Sequence, residues 1–279
     1  MAIVIAGGSG LIGQEITSAL LKKNYEVRIL SRSPESKKSM GGESYFKWDI
    51  KSQSIDESVF NNAECVINLT GENVADKRWT DNQKEKLLNS RIDSTNLLLE
   101  KLKNLNSKAK FINASAIGFY GDTEDKIVDE TAPSGDDFLA GICQEWEKAI
   151  KKSEYHPYII IRIGIVLSLK GGALSKMLAP FKLGLGGALG SGQQYMSWIH
   201  IDDLVKIFLW AMESDTENQI FNAVAPNPVT NKEFTKTLGS AISRPTIFNA
   251  PSMAIKLALG EMSTILLKGQ RVSSQKLQD

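Results

Sequence analysis

The amino-acid sequence predicts an α/β protein built around a doubly wound parallel sheet. Strand-like and helix-like segments alternate through the first half of its 279 residues, which is typical of parallel sheets covered by helices. A glycine-rich turn joins the first strand directly to an amphipathic helix. After Leu167 the alternation gives way to glycine-rich and helical segments. We therefore predict a sheet domain over residues 1–167 and a smaller, partly interleaved C-terminal region over residues 168–279.

Apolar runs and helical spacings define the elements of the first half. The runs that predict strands are Ala2–Ala6, Tyr25–Leu30, Tyr45–Asp49, Cys65–Leu69, Phe111–Ser115 and Tyr158–Ile161. Apolar residues at helical spacing predict helices that begin at Leu11, at about Thr80 and at about Asp137. The second of these extends to Lys103 with Thr80 as its N-cap, and the third extends to Lys151.

The C-terminal region contains one unusual segment between two helical stretches. Residues 171–192 carry seven glycines among many leucines, which a solvated linker would not have. We predict a short helix there, followed by a packed loop. Further helices are predicted from Asp202 to about Met212, after Pro228–Asn231, and over Pro251–Leu267.

The first turn has the glycine spacing of a dinucleotide site. Gly8-x-Gly10-x-x-Gly13 and Gly7-x-x-Gly10-x-x-Gly13 overlap between a strand and a helix. Glycines let the backbone approach a pyrophosphate, and the helix N-terminus aims free N–H groups at it. The residues expected to bind the pyrophosphate are Gly7, Ser9, Gly10, Leu11, Ile12 and Gly13. The alternative is a tight βα turn without a ligand.

The end of the second strand favours NADP over NAD. An acidic residue at this position holds the ribose 2′-hydroxyl of NAD, whereas an arginine suits a 2′-phosphate. Here the strand ends in Ser31-Arg32, and Glu26 lies too early to reach the ribose. The alternative is that Arg32 is an ordinary solvated loop cation.

Composition argues against several other classes of protein. The net charge is +1 without a basic cluster, so nucleic-acid binding has no electrostatic support. Two cysteines and two histidines, far apart in the sequence, make a metal centre improbable. No apolar run reaches the roughly 18 residues of a membrane span, and the N-terminus opens directly into a strand rather than a secretory signal. We expect a cytoplasmic protein without membrane partners.

Segments along most of the chain resemble the extended type of the short-chain dehydrogenase/reductase superfamily, and within it the atypical, NAD(P)-dependent epimerase-like family. The resemblance extends to Leu267, and family members usually continue further, which leads us to expect a truncation at Asp279. The matching segments, apart from the glycine loop, are Ser31–Arg32, Asn68–Glu72, Arg78–Trp79, Ser90–Arg91, Ser115–Gly121, Trp146–Glu147, Arg162–Leu167, Phe181–Gly187 and Trp198–Leu204.

The resemblance implies cofactor contacts beyond the glycine loop. Arg91 has a competing interpretation as a partner in a surface salt bridge, and Glu85 as an exposed helix residue of little energetic consequence. The positions implied to contact the dinucleotide are Ser31, Arg32, Leu69, Thr70, Gly71, Glu85, Arg91 and Val166.

The chain departs from the superfamily at its catalytic pattern, Tyr-x-x-x-Lys with an acidic residue four positions later. Counting back from Glu147 places Cys143 at the lysine and Leu139 at the tyrosine. Neither side chain supplies the usual proton relay, so the standard mechanism does not transfer.

Two hydroxyls remain as catalytic candidates. Ser115 could polarise a carbonyl, and Tyr120 could replace the missing tyrosine; the alternatives are a strand-end hydroxyl bonded to backbone and a packed turn aromatic. His200 could act as a base, because histidine is the side chain that commonly exchanges protons near neutral pH, but its place before a helix favours a role in loop geometry. Tyr195 and Trp198 are candidate pocket walls or core residues.

The leading hypothesis is an NADP(H)-binding oxidoreductase or epimerase-like enzyme for a small polar or sugar-linked substrate, with the C-terminal region as lid and pocket. The rival is a non-catalytic NADP(H)-binding redox sensor or interaction protein. The resemblance also implies a homodimer that pairs through the helices at Thr80–Lys103 and Asp137–Lys151.

Overall fold

The computed structural model describes residues 1–39, 41–155 and 157–279. Its strands are β1 Ala2–Ala6, β2 Glu26–Ser31, β3 Ser44–Asp49, β4 Ser54–Ile55, β5 Ala63–Asn68, β6 Lys110–Ala116, β7 Ile127–Val128, β8 Tyr158–Ile163, β9 Ile165–Leu167, β10 Tyr195–Met196, β11 Trp198–His200, β12 Gln219–Ala223, β13 Val229–Thr230 and β14 Arg271–Val272. Its helices are α1 Leu11–Lys22, α2 Asp81–Asn104, α3 Phe138–Lys152, α4 Gly172–Lys182, α5 Ile201–Glu213, α6 Asn231–Ala241, α7 Ser252–Leu259, α8 Thr264–Leu267 and α9 Gln275–Gln278.

The central sheet has the predicted doubly wound arrangement of a Rossmann fold. Its strand order is β12-β8-β6-β5-β1-β2-β3-β4, and every pair is parallel except the β3–β4 hairpin. The chain builds outward from β1 through β2 and β3, then returns to β5 on the other side of β1. The carboxyl ends of β1 and β5 therefore flank the switch point, where ligands of open α/β sheets bind.

Residues beyond Leu167 complete the sheet domain. Strand β12 pairs with β8 at the edge, and α5 packs against α1 on one face. The two predicted regions therefore interleave, and a boundary at Leu167 does not separate the sheet from the rest of the chain.

Alternating side chains of the central strands supply a core on each face of the sheet. Ile3 and Ile5 of β1 belong to the cluster that includes Ile16 of α1, whereas Val4 belongs to the cluster under α2 that includes Leu98. All five side chains are fully buried. Because strand side chains alternate in direction, β1 is buried on both sides, as expected for a central parallel strand.

Polar side chains fix the beginnings of the helices near the candidate site. Thr80 and Asp137 accept hydrogen bonds from the first-turn amides of α2 and α3, and Thr230 forms a capping box with Glu233 at α6. His200 Nδ1 accepts from the Asp202 N–H at 3.2 Å. The interpretation of His200 as a residue that fixes local geometry is therefore confirmed.

The prediction of a packed loop after α4 is wrong for two of its leucines, which lie in solvent. Leu183 and Leu185 are 76% and 57% exposed. Gly187 is packed instead, since a Cβ there would lie 1.9 Å from the Phe248 carbonyl oxygen, whereas a Cβ on Gly184 would meet no atom within 4 Å. Gly187 thus allows close backbone contact within this loop.

Within the described ranges, no helix combines the length and apolar character needed to cross a membrane.

Candidate cofactor and active site

The glycine turn between β1 and α1 is closed so tightly that side chains are excluded from it. Gly7 has a φ of +87°, and a Cβ there would lie 2.9 Å from backbone atoms of Leu69. A Cβ on Gly13 would lie 2.5 Å from the Gly7 carbonyl oxygen. These contacts bring the start of α1 against β1 and β5, as the pyrophosphate-binding turn of a dinucleotide site requires.

The beginning of α1 leaves hydrogen-bond donors for a ligand. No side chain caps the helix at Gly10, and the first amides of a helix lack intrahelical acceptors. Ser9 is exposed. The Gly10 N–H donates to the Gly7 carbonyl at 3.1 Å, and the Gln14 side-chain amide donates to the Ser9 carbonyl at 3.0 Å, so both bonds order the turn. Exposed donors in a glycine-lined concavity fit the diphosphate of a dinucleotide.

Ser31 and Arg32 end β2 with their polar groups available. The Ser31 hydroxyl accepts from the Ser33 N–H at 3.2 Å, which leaves its own proton free to donate. Arg32 is exposed, and Lys47 Nζ donates to its backbone carbonyl. Among the described residues its guanidinium has no hydrogen bond or ion pair. A free guanidinium beside a free hydroxyl donor suits a phosphate monoester.

Leu69, Thr70 and Gly71 follow β5 at the switch point. Leu69 lies against the glycine turn, as the Gly7 contact shows. The Thr70 hydroxyl belongs to a buried polar network with Asn68 and Ser94. A Cβ on Gly71 would lie 2.9 Å from the guanidinium carbon of Arg91, so this glycine makes room for the arginine.

Arg91 holds the loop after β5 in place. Its Nη1 donates to the Leu87 carbonyl at 2.7 Å, and its Nη2 donates to the Glu72 carbonyl at 3.1 Å. The guanidinium also lies 5.3 Å from the centre of the Trp146 ring, and burial lowers its pKa. The alternative of a surface salt bridge is therefore wrong, while contact with a dinucleotide stays a prediction.

Two further predicted contacts differ in their surroundings. Val166 is half-buried in β9, opposite Ile199 of β11. Glu85 is exposed. Because successive residues of an α-helix are rotated by about 100°, Glu85 lies about 200° around α2 from the buried Gln83. The helix geometry gives Glu85 no support as a cofactor ligand, and both contacts stay predictions.

Ser115 ends β6 inside a buried ionic network. Its hydroxyl donates to Glu147 Oε1 at 2.8 Å. Glu147 also accepts from Arg162 Nε and Nη2, each at 2.8 Å, and the side chains of this ion pair are each 2% exposed. The Ser115 proton is therefore bonded to a carboxylate rather than to a strand-end backbone group, which corrects that alternative.

Tyr120 belongs to the same network. Its hydroxyl accepts from Arg162 Nη1 at 2.9 Å and donates to Asn222 Oδ1 at 2.7 Å. Burial raises the pKa of the Tyr120 phenol, and the nearby Arg162 charge offsets this only in part. Phe119 stacks on the Arg162 guanidinium at 3.5 Å. These contacts favour the packed-aromatic interpretation, and a catalytic role for Tyr120 stays a prediction.

Leu139 and Cys143 lie on the turn of α3 that faces β6. The sequence count assigned these two residues to the tyrosine and lysine positions. A Cβ on Gly118 would lie 3.6 Å from Leu139 Cβ. Cys143 is buried against Ser115 and Ala116, and burial raises the pKa of its thiol to about 11. This corner therefore contains an apolar side chain and a protonated thiol.

Sequence reasoning missed the Glu147–Arg162 pair as a unit and Glu72 as a site residue. Glu147 and Arg162 both stood in matching segments, but nothing in their spacing indicated that they pair. Glu72 was quoted only within the segment after β5. No group of three or more potential metal-ligating side chains occurs in the described chain, and Cys65 and Cys143 are both free thiols there.

Comparisons with known proteins identify relatives over nearly the whole chain. The model of the NAD dependent epimerase/dehydratase family matches residues 3–223, and a domain of unknown function, DUF1731, matches residues 250–279. Epimerase family protein ML0860 of Mycobacterium leprae is 39% identical over 273 residues, which cover 96% of this chain and 87% of the relative.

Solved structures of two epimerase relatives also resemble this chain along its whole length. The human epimerase family protein SDR39U1, crystallised with NADPH, superposes with a TM-score of 0.87 at 32% identity, covering 99% of this chain and 92% of that one. A nucleoside-diphosphate sugar epimerase of Corynebacterium glutamicum has a TM-score of 0.77 at 32% identity, covering all of this chain and 54% of that one.

Proposed function

Because this chain belongs to the NAD dependent epimerase/dehydratase family, we propose that it is an NADP(H)-binding oxidoreductase or epimerase-like enzyme. The observation that carries the proposal is the glycine turn, where the start of α1 packs against β1 so closely that Gly13 admits no Cβ. The turn leaves exposed amide donors at the switch point of a doubly wound sheet, and these fit a dinucleotide pyrophosphate.

NADP is the expected form of the cofactor. The Ser31 hydroxyl and the Arg32 guanidinium, which has no partner in the described part of the chain, lie at the end of the strand whose terminus contacts the adenosine ribose in such folds. The human relative SDR39U1 was crystallised with NADPH, which supports the same choice. Bound NADPH supplies a hydride to a carbonyl carbon or, when oxidised, accepts one from an alcohol.

A small polar or sugar-linked compound is the proposed substrate. The Corynebacterium glutamicum relative is described as a nucleoside-diphosphate sugar epimerase, and its sequence identity over this entire chain supports that class here. A panel of nucleotide sugars and small carbonyl compounds, followed at the NADPH absorbance band, tests the proposal. We expect at least one compound to be turned over, whereas NADPH binding with no turnover across the panel would contradict an enzyme.

The rival function is a non-catalytic NADP(H)-dependent sensor or interaction protein. Its support is the corner formed by Leu139, Cys143 and Ser115, where the sequence count assigns a leucine and a cysteine to the tyrosine and lysine positions and the serine proton is bonded to Glu147. A sensor would bind NADPH without turnover and would change conformation with the redox state of the ligand. Loss of turnover in Ser115→Ala or Tyr120→Phe, with NADPH affinity retained, would exclude the sensor.

We also propose a homodimer that pairs through α2 and α3, following the extended members of the superfamily. The exposed surface of these helices is rich in charge, with Glu100, Lys103, Glu145 and Lys148 along the groove between them. Such a pairing would be held by ion pairs and would weaken with salt. Light scattering at low and high ionic strength tests it, and a monomer mass under both conditions would exclude the dimer.

A further inference from the structure

Glu72 follows β5 at the switch point, in a loop that is held rigidly. Its backbone N–H donates to Ser90 Oγ at 2.9 Å, and its carbonyl accepts from Arg91 at 3.1 Å. Its carboxylate Oε1 accepts from the Gln83 side-chain amide at 3.0 Å. Three atoms of Glu72, its backbone nitrogen, its carbonyl oxygen and Oε1, are therefore held by side chains of α2.

The carboxylate remains accessible despite these contacts. The Glu72 side chain is 34% exposed, and Lys77 Nζ lies 3.8 Å from Oε1. In the described chain Oε2 has no hydrogen-bond partner. An acid–base group needs this combination, because one oxygen must be held in place while the other meets the substrate.

Three other titratable groups, two on α3 and one at its N-cap, are already bonded or held protonated. Glu147 is buried in a bidentate pair with Arg162, and burial keeps the Cys143 thiol protonated by raising its pKa to about 11. Asp137 caps α3 and accepts from Lys268 Nζ at 3.2 Å. Among these groups of the described chain, only Glu72 keeps an unbonded, solvent-accessible oxygen.

The loop of Glu72 packs against the first turn of α3, which carries Leu139, the residue that the sequence count assigned to the tyrosine position. Trp79, in the same loop, meets the Phe138 ring edge to face at a centroid distance of 5.0 Å, and Phe138 precedes Leu139. Arg91, which holds the Glu72 carbonyl, stacks on Trp146 of α3. The loop that carries Glu72 therefore packs against the helix that carries Leu139 and Cys143.

From this geometry we infer that Glu72 is the acid–base residue of the site and faces the nicotinamide end of the cofactor. The inference rests on the proposed function. In the reducing direction a carbonyl carbon gains a hydride, with its electron pair, from NADPH. The protonated Glu72 carboxyl releases its proton to the carbonyl oxygen, which leaves an alcohol, the oxidised dinucleotide and a carboxylate. In the oxidising direction the carboxylate takes the hydroxyl proton.

The first test measures binding of NADP⁺ and NADPH without any substrate. A carboxylate beside the nicotinamide stabilises the positively charged oxidised ring and not the neutral reduced one. We expect Glu72→Gln to weaken NADP⁺ about tenfold more than NADPH, which corresponds to about 1.4 kcal/mol. Glu100→Gln, which changes an exposed carboxylate further along α2, serves as the control. It should preserve the wild-type ratio of dissociation constants.

The second test uses the carbonyl compound that the substrate panel identifies. We expect Glu72→Ala to lose at least a hundredfold in kcat and to recover part of it when formate is added, because formate replaces the missing carboxyl. A structural role for Glu72 predicts no such rescue.

The outcomes separate this inference from the proposed function. If the wild-type protein binds neither dinucleotide, the proposed function fails and the inference fails with it. If the wild type binds both, and Glu72→Gln changes the two dissociation constants by equal factors, only the assignment of Glu72 is overturned.

Discussion

Breaking the buried Glu147–Arg162 ion pair should destabilise the protein far more than breaking a surface pair. Both side chains are 2% exposed, and three hydrogen bonds of 2.8 Å end on the Glu147 carboxylate. Glu147→Leu leaves the Arg162 guanidinium buried without its counterion, a change that costs about 3–5 kcal/mol in other proteins. We therefore expect a loss of about 4 kcal/mol in the free energy of unfolding.

Urea unfolding followed by circular dichroism measures this loss. Glu145→Leu serves as the control, because Glu145 pairs with Lys148 on the surface and exposed pairs contribute only about 0–1 kcal/mol. The double variant Glu147→Leu/Arg162→Met should recover part of the loss, since no buried charge remains unpaired. A loss below about 1 kcal/mol for Glu147→Leu, or full additivity in the double variant, would refute the reasoning.

Three further predictions concern the turn, the thiols and a helix cap. Gly13→Ala should abolish NADPH binding in a fluorescence titration, because its Cβ would lie 2.5 Å from the Gly7 carbonyl oxygen; retained affinity would contradict the tight turn. Cys65 and Cys143 should resist thiol reagents at pH 8 until the protein unfolds, because burial raises their pKa values to about 12 and about 11. Burial of the two protonated thiols makes its full contribution to the free energy of unfolding below the pKa of an unfolded cysteine, about 8.5. This contribution should decline as the pH rises toward 11. Thr230→Ala should cost about 1 kcal/mol in urea unfolding through loss of the capping box, and an unchanged midpoint would contradict this.

Local patterns were enough to predict six of the eight strands in the described central sheet. The apolar run of β1, the glycine spacing and the N-cap residues Thr80 and Asp137 act within a few positions of one another, so their consequences are visible in the sequence. The edge strands β4 and β12 were not predicted, because β4 has only two residues and β12 pairs with a strand that lies far earlier in the chain.

The candidate site depended on contacts between distant residues, which no local pattern reveals. Ser115, Glu147 and Arg162 come from β6, α3 and β8, and only the packing of these elements brings their polar atoms within hydrogen-bond distance. The outward direction of Leu183 was likewise missed, because leucine content predicts burial only where the neighbouring backbone leaves space.

The central claim is that the glycine turn and Arg32 bind a 2′-phosphorylated dinucleotide. Isothermal titration calorimetry of the purified protein with NADPH and with NADH tests this claim most directly, using Arg32→Ala as the comparison. We expect NADPH to bind at least about tenfold more tightly than NADH, a difference of about 1.4 kcal/mol, and Arg32→Ala to remove most of that preference. Tighter binding of NADH, or no heat from either dinucleotide with folded protein, would contradict the account.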